Sequence, residues 1–364
     1  MHPRSSKRTS LIPRFFPFLQ TRFLVCVLIA LILSSCGNSY YQGPRSDHFD
    51  GNRFSNPWDP MPNRFLDFLK WRFTADRGPW PESIEVKPTK PPERVTGSEL
   101  RVTYIGHATV LLQTAGMNIL TDPIWSDRAS PFSFAGPKRV TAAGVKFEDL
   151  PPIDLVLVSH NHYDHLDMRT LQRLYEASDP LVVTALGNDT IIHREIPKMN
   201  VRALDWGQDL TVSEAITVSL APMQHWSARG LFDRNEALWA AFVIEAPGGP
   251  IYFLADAGYE KSLSLDVVSK HGTPRLSLLP VGAYEPLWFM QYAHITPEQA
   301  VQTFLDLGQG YAMGTQHEVF PLADEGYAEP REDLNHALVS KGLSRAHFRL
   351  PKVAEWFMVP KRDP

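Results

Sequence analysis

A chain of 364 residues with 43% apolar and 21% charged residues can bury a sizeable core. Its ordinary composition, without repeats or low-complexity runs, excludes a fibrous or disordered protein. The formal net charge is −4, yet residues 1–35 hold Arg4, Lys7, Arg8, Arg14 and Arg22 and no acid, so the remaining chain is more acidic than the whole; such a body does not attract nucleic acid, and none is expected as a partner.

Residues 23–33 form an apolar run behind that basic segment. Eleven apolar residues are too few to span a bilayer and suit the core of an export signal over 1–35. The following Leu33-Ser34-Ser35-Cys36 resembles a bacterial lipobox. That resemblance implies a signal peptide and a lipoprotein whose mature chain begins at a lipidated Cys36, its contact with the membrane. Asn38 gives no cue for retention in the inner membrane, so the expected location is the outer membrane, facing the periplasm. Cys26 and Cys36 are the only cysteines. The mature body therefore has no disulfide framework and no spare thiolate, and any metal site there must use His and carboxylates.

Residues 36–98 read as a tether followed by an extension that wraps the body. Apolar residues at 65, 66, 68, 69, 71 and 73 predict a short amphipathic helix over 63–73. Residues 79–92 are too Pro-rich for regular structure. From residue 99 to 364 the pattern predicts a single catalytic domain. Strands are expected at 101–105, 110–113 and 118–121, with a turn at Ala115-Gly116. Residues 153–159 are almost wholly apolar, as a strand buried on both faces would be. A helix is expected over 168–177, then strands at 181–185, 215–221, 239–245, 251–255 and 311–315. Helices are expected near 261–270 and from Thr296, where Thr296, Pro297 and Gln299 carry a capping-box pattern. Two groups of strands, each with helices, predict an α/β sandwich with helices outside two sheets.

Ser159-His160-Asn161-His162-Tyr163-Asp164-His165 follows the buried strand. His160 and His162 alternate on extended chain and can point at one ion; Asp164 and His165 lie further on and can reach a second. Further donors are expected at strand ends: His225, Asp256 and His317. Asp256 is suited to bridge two ions. Two divalent ions roughly 3.5–4 Å apart polarise a substrate oxygen and lower the pKa of a shared water. Ligation by N and O alone suits Zn²⁺, with Fe or Mn as alternatives.

This pattern resembles the metallo-β-lactamase superfamily. The match narrows with Ile105-Gly106-His107-Ala108-Thr109, Leu120-Thr121-Asp122-Pro123, Arg128-Ala129-Ser130-Pro131, Gly136-Pro137-Lys138-Arg139, Gln224-His225-Trp226, Asp256-Ala257-Gly258-Tyr259 and the run 282–290. These resemble the N-acyl-phosphatidylethanolamine-hydrolysing phospholipase D family. The resemblance covers about residues 100–330. It implies a four-layer αβ/βα sandwich with two zinc ions, and hydrolysis of a phosphodiester in an N-acylated phospholipid. Carried over motif by motif, one zinc takes His160, His162 and His225. The other takes Asp164, His165 and a late His, with Asp256 bridging. Tyr163 and His294 match positions near the substrate phosphate. His107 and Asp122 are expected to support the site without binding metal.

One departure stands out. The family's late His falls four residues before the Phe of an F-x-L-x-x-E pattern, here Phe320, Leu322 and Glu325, and that slot holds Gln316. His317 is one residue late and is the expected ligand if a bulge turns it inwards. Gln316 or Glu318 is the alternative. The expected activity is a phospholipase D-like phosphodiester hydrolase. Other readings are a lactone or ester hydrolase, or a non-catalytic envelope protein with an incomplete second metal site. No oligomeric state is legible.

Overall fold

The structure, a computed structural model, describes residues 39–58 and 65–362. Residues 1–35, expected to be an export signal, and Cys36 lie outside the described residues.

The first sheet opens with a meander of β1 (Leu100–Gly106), β2 (Thr109–Thr114) and β3 (Met117–Thr121). β4 (Leu155–Val158), β5 (Leu181–Ala185) and β6 (Val201–Leu204) join β3 in parallel, and the late β14 (Trp356–Met358) pairs antiparallel with β1. The second sheet holds β7 (Asp209–Thr211), β8 (Thr217–Ala221), β9 (Ala241–Glu245), β10 (Ile251–Phe253), β11 (Leu276–Pro280), β12 (Tyr311–Thr315) and β13 (Phe348–Arg349), in that spatial order. Its strands run antiparallel from β7 to β10 and parallel from β10 to β13.

The layering follows from alternation along each strand. Val110, Leu112, Ile119, Leu155, Leu157 and Val183 join a core with Val218, Val243 and Leu278 of the second sheet. Leu111, Leu120, Val156, Val158 and Val182 face the other way. There they meet Leu171 and Leu174 of α1 (Met168–Ser178) and Ile191 and Ile192 of α2 (Asn188–Glu195). On the second sheet, Val267 of α3 (Lys261–His271), Phe304 of α4 (Pro297–Asp306) and Leu334 of α5 (Glu329–Ser340) pack into the larger core. α4 begins with the expected capping box: Thr296 Oγ1 accepts from Gln299 N, and Gln299 Oε1 accepts from Thr296 N. β6, β11, α2 and α5 have no counterpart in the sequence reading. β11 is a five-residue segment, Leu276-Ser277-Leu278-Leu279-Pro280, too short to show a period that separates it from loop.

The helix expected over 63–73 is present as Phe65–Thr74. Its Trp71 stacks on Phe289 at 5.3 Å and donates to Asp324 Oδ1 at 3.0 Å. Residues 40–58 are seated more firmly than a tether. Phe49 and Phe54 are buried in the large core, and Phe54 N donates to Asn235 O at 2.8 Å. Asn56 Nδ2 donates to His225 O at 2.8 Å, and Trp239 Nε1 reaches Asn56 Oδ1 at 3.2 Å.

His48 fastens the same segment. Its ring stacks on Trp206 at 4.4 Å. Nε2 lies 2.8 Å from Asp205 Oδ1 and Nδ1 2.6 Å from Asp47 Oδ1. Burial opposes its charge, but the Asp205 and Asp47 carboxylates outweigh burial and hold its pKa above the usual value. A group raised in the folded state stabilises fully below its unfolded pKa of about 6.5 and loses that effect as pH rises through the folded value. His48→Gln is therefore expected to lower the urea midpoint more at about pH 6 than at about pH 9. An equal deficit at both pH values would show that the carboxylate pairing contributes nothing.

Candidate metal centre

Chemistry gathers where strands of both sheets end. The loop from β4 to α1 carries His160, His162, Asp164 and His165; His225 follows β8, Asp256 follows β10, and Gln316 follows β12. One donor atom each of His160, His162, His225 and Asp256 lies within 4.8 Å of the others, and His107, Asp164 and His165 form a second such group. His160 Nε2 stands 2.8 Å from His162 Nδ1, and His225 Nε2 3.3 Å from the same atom. His165 Nε2 is 3.2 Å from both Asp164 Oδ2 and Asp256 Oδ1, so the two groups adjoin.

The far side of three of the rings is held, whereas His162 Nε2 has no hydrogen-bond partner. His225 Nδ1 meets Ala293 O at 3.0 Å, and His160 Nδ1 meets Ser159 Oγ at 2.8 Å. His165 Nδ1 meets Asp122 Oδ2 at 2.6 Å. Asp122, buried at the end of β3, also accepts from Ser159 N at 2.7 Å and Ser159 Oγ at 2.6 Å. Such outer contacts fix the ring and leave the inner nitrogen for a ligand. His107 Nε2 lies 2.9 Å from Asp164 Oδ2 and orients that carboxylate in the same way.

The protonation states suit a cation. Burial drives His160 and His225 well below the ordinary imidazole range and His162 down to about 4, so their lone pairs are available at neutral pH. Burial alone would raise Asp256 and Asp164. Contact with His165 outweighs it and holds both below the usual carboxylate range. Metal ligands must be deprotonated in this way. His165 is the exception: burial opposes its charge, but the Asp256, Asp164 and Asp122 carboxylates outweigh burial and hold it well above the ordinary imidazole range, so an ion bound there displaces its proton. His165 Nε2 and His294 Nδ1 are buried without a hydrogen bond. Converging lone pairs, ionised carboxylates and orphaned nitrogens fit a divalent metal centre.

A family model described as a beta-lactamase superfamily domain matches residues 117–316. The chain belongs to the beta-lactamase superfamily. An uncharacterised protein of Mycobacterium tuberculosis is 38% identical over 245 residues, 66% of this chain and 64% of its own length; the chain thus spans less than two thirds of that relative. The N-acyl-phosphatidylethanolamine-hydrolyzing phospholipase D 1 of Caenorhabditis elegans is 36% identical over 251 residues, 66% of this chain and 70% of that protein. Among solved structures, the isothiocyanate hydrolase from Delia radicum gut bacteria aligns with a TM-score of 0.56 over 71% of this chain and 98% of that one, at 22% identity. The fold and the His/Asp cluster match a metal-binding member of this superfamily.

Against that superfamily's pattern, the end of β12 corrects one expectation. His317 is not brought to the cluster. Its ring stacks on Tyr104 at 5.0 Å, and its Nδ1 lies 3.6 Å from Glu318 Oε2. Glu318 is held by Arg331 at 2.7 and 3.1 Å and also points away from the site. Gln316 takes the place expected for His317: its Nε2 contacts Asp256 Oδ1. The reason is the backbone. Gln316 and Glu318 both have positive φ, 62° and 60°, so the turn kinks on either side of His317 and no bulge turns its ring inwards.

Two further residues stand near the superfamily cluster. His294 Nδ1 is 3.8 Å from Asp256 Oδ2, and burial lowers its pKa. Tyr163 points aside, its hydroxyl donating to Arg229 O at 3.0 Å beside a cavity of about 380 Å³ that Arg128 and Arg169 also line. The sequence reading missed Arg229, whose Nη1 donates to Asn161 O at 2.9 Å and Leu166 O at 2.8 Å. A lone arginine in a loop offers no pattern that would reveal this. The joining of His107 to Asp164 was likewise hidden, since 57 residues separate them.

Proposed function

We propose that the protein is a dinuclear zinc hydrolase of phosphodiesters, phospholipase D-like, acting on N-acyl phosphatidylethanolamine or a related phospholipid. The observation that carries the reading is the pair of adjoining donor groups, with Asp256 next to both. Support for the substrate class comes from the Caenorhabditis elegans relative, whose name states that it hydrolyses N-acyl-phosphatidylethanolamine.

His160, His162, His225 and Asp256 would hold one ion, and Asp164, His165 and Asp256 the other. Bound divalent ions supply Lewis acidity and a water that is nucleophilic near neutral pH. In the reaction water adds to phosphorus, the bond from phosphorus to the N-acylethanolamine oxygen breaks, and phosphatidic acid is released. His294, whose side chain is 16% exposed beside Asp256, would offer its ring to a phosphoryl oxygen or to the departing alkoxide. Trp226, edge-on to His162 at 4.3 Å, would exclude water from one side of the reacting group. His107 and Asp122 would keep Asp164 and His165 aimed. The protein would be exported and held at the outer membrane by a lipidated Cys36. Among the described residues no helix is long and apolar enough to cross a membrane.

The test uses the full-length protein in detergent, loaded with zinc, on N-acyl phosphatidylethanolamine, other phosphodiesters and a lactone panel. Release of phosphatidic acid is expected. Turnover of lactones alone, with every phosphodiester inert, would overturn the proposal.

A further inference from the structure

We propose that the two metal sites are chemically unequal, with a nitrogen-rich zinc site beside an oxygen-rich site that holds zinc loosely and accepts a harder divalent cation such as Mn²⁺. The inference rests on the dinuclear reading above and concerns what completes its second half.

The first group supplies three imidazoles and one carboxylate, a set that suits tetrahedral zinc. The second comprises His107, Asp164 and His165, with Asp256 Oδ1 3.2 Å from His165 Nε2. With His107 engaged on Asp164, one imidazole, His165, stands between two carboxylates. Its remaining neighbour from the second sheet is the Gln316 carboxamide in contact with Asp256 Oδ1. Gln316 Nε2 donates to that carboxylate; with a cation between the two groups, a half-turn of the carboxamide would present Oε1 as the donor instead. The second set then reads three oxygens to one nitrogen. Carboxylate and carbonyl donors suit Mn²⁺ and Mg²⁺, whereas imidazole favours zinc.

Neither His107 nor His317 can repair the deficit cheaply. His107 already spends Nε2 on Asp164 Oδ2. His317 is packed on Tyr104, whose hydroxyl lies 3.2 Å from the His317 carbonyl. The turn that would have to move is pinned. Gln316 N donates to His107 O at 3.0 Å, and a Cβ on Gly282 would overlap the Gln316 carbonyl oxygen. That glycine is where two backbones touch, so the turn cannot slide by one residue.

The experiment counts metal by mass spectrometry while zinc is withdrawn from the full-length protein with a graded chelator. Wild type is expected to lose zinc in two steps separated by about tenfold or more in free zinc, keeping one equivalent after the second site empties. Added Mn²⁺ should refill that site and give one zinc and one manganese per chain, with a protein-bound Mn²⁺ resonance signal. Gln316→His should merge the two steps and retain two equivalents of zinc. Gln316→Ala, which needs no room for a new ring, should widen the gap. Two zinc ions lost together from wild type, or a second step indifferent to both variants, would overturn the inequality and leave the dinuclear reading standing. Zinc held at neither site would overturn both.

Discussion

Asp256→Asn is expected to reduce hydrolysis by on the order of 100-fold or more, beyond the 10–100-fold usual for residues that only support a metal ligand. The carboxylate faces both halves of the site: Oδ1 is 3.2 Å from His165 Nε2, and Oδ2 is 3.8 Å from both His225 Nε2 and His294 Nδ1. Asparagine keeps the shape and removes the charge, so no single carboxylate remains to neutralise two adjacent cations. Metal content after dialysis should fall with activity, while the thermal transition of the zinc-free protein should persist. Turnover within about tenfold of wild type would mean that Asp256 is not shared between metals.

Arg229→Ala is expected to lower stability by about 3 kcal/mol, because hydrogen bonds to a charged donor contribute about 1.5–3 kcal/mol each and two buried carbonyls would be left without partners. Those carbonyls belong to Asn161 and Leu166 and bracket His162, Asp164 and His165. The guanidinium also covers the Tyr163 ring at 4.1 Å. The loop that presents the inward donors is thus held from behind by one side chain. Zinc retention should weaken by about tenfold in the variant. Arg229→Lys should recover only part of both effects, since an ammonium lacks the planar fork. Urea unfolding and zinc competition check the two halves separately. Unchanged zinc retention in a clearly destabilised variant would confine Arg229 to the fold.

Much of the site was legible because its donors stand directly after strands. The apolar run before His160, the strand before Asp256 and the strand before His225 each mark a sheet edge where loops converge. Two groups of strands, each accompanied by helices, likewise foretold two sheets with helices outside. His317 was misplaced because imidazole is the better zinc donor and the decision lay in two φ angles, which no spacing encodes. His107 was legible as a supporting residue, though its partner Asp164 was not. Arg229 was hidden for a related reason: it acts across the chain on two backbone carbonyls and belongs to no local pattern. The edge strands of the second sheet, β7 and β13, carry three and two residues and exist through their neighbours rather than through their own propensity.

The segment 40–58 precedes every candidate ligand in the chain, yet it ends against one of them. Asn56 links the His225 carbonyl to the Trp239 indole, so the strap splints the strand exit that aims this ring. A chain trimmed to begin after Trp58 would keep both sheets and every donor, and would leave His225 on a loosened hinge. The stretch that reads from sequence as a mere tether is, mechanically, part of what aims His225.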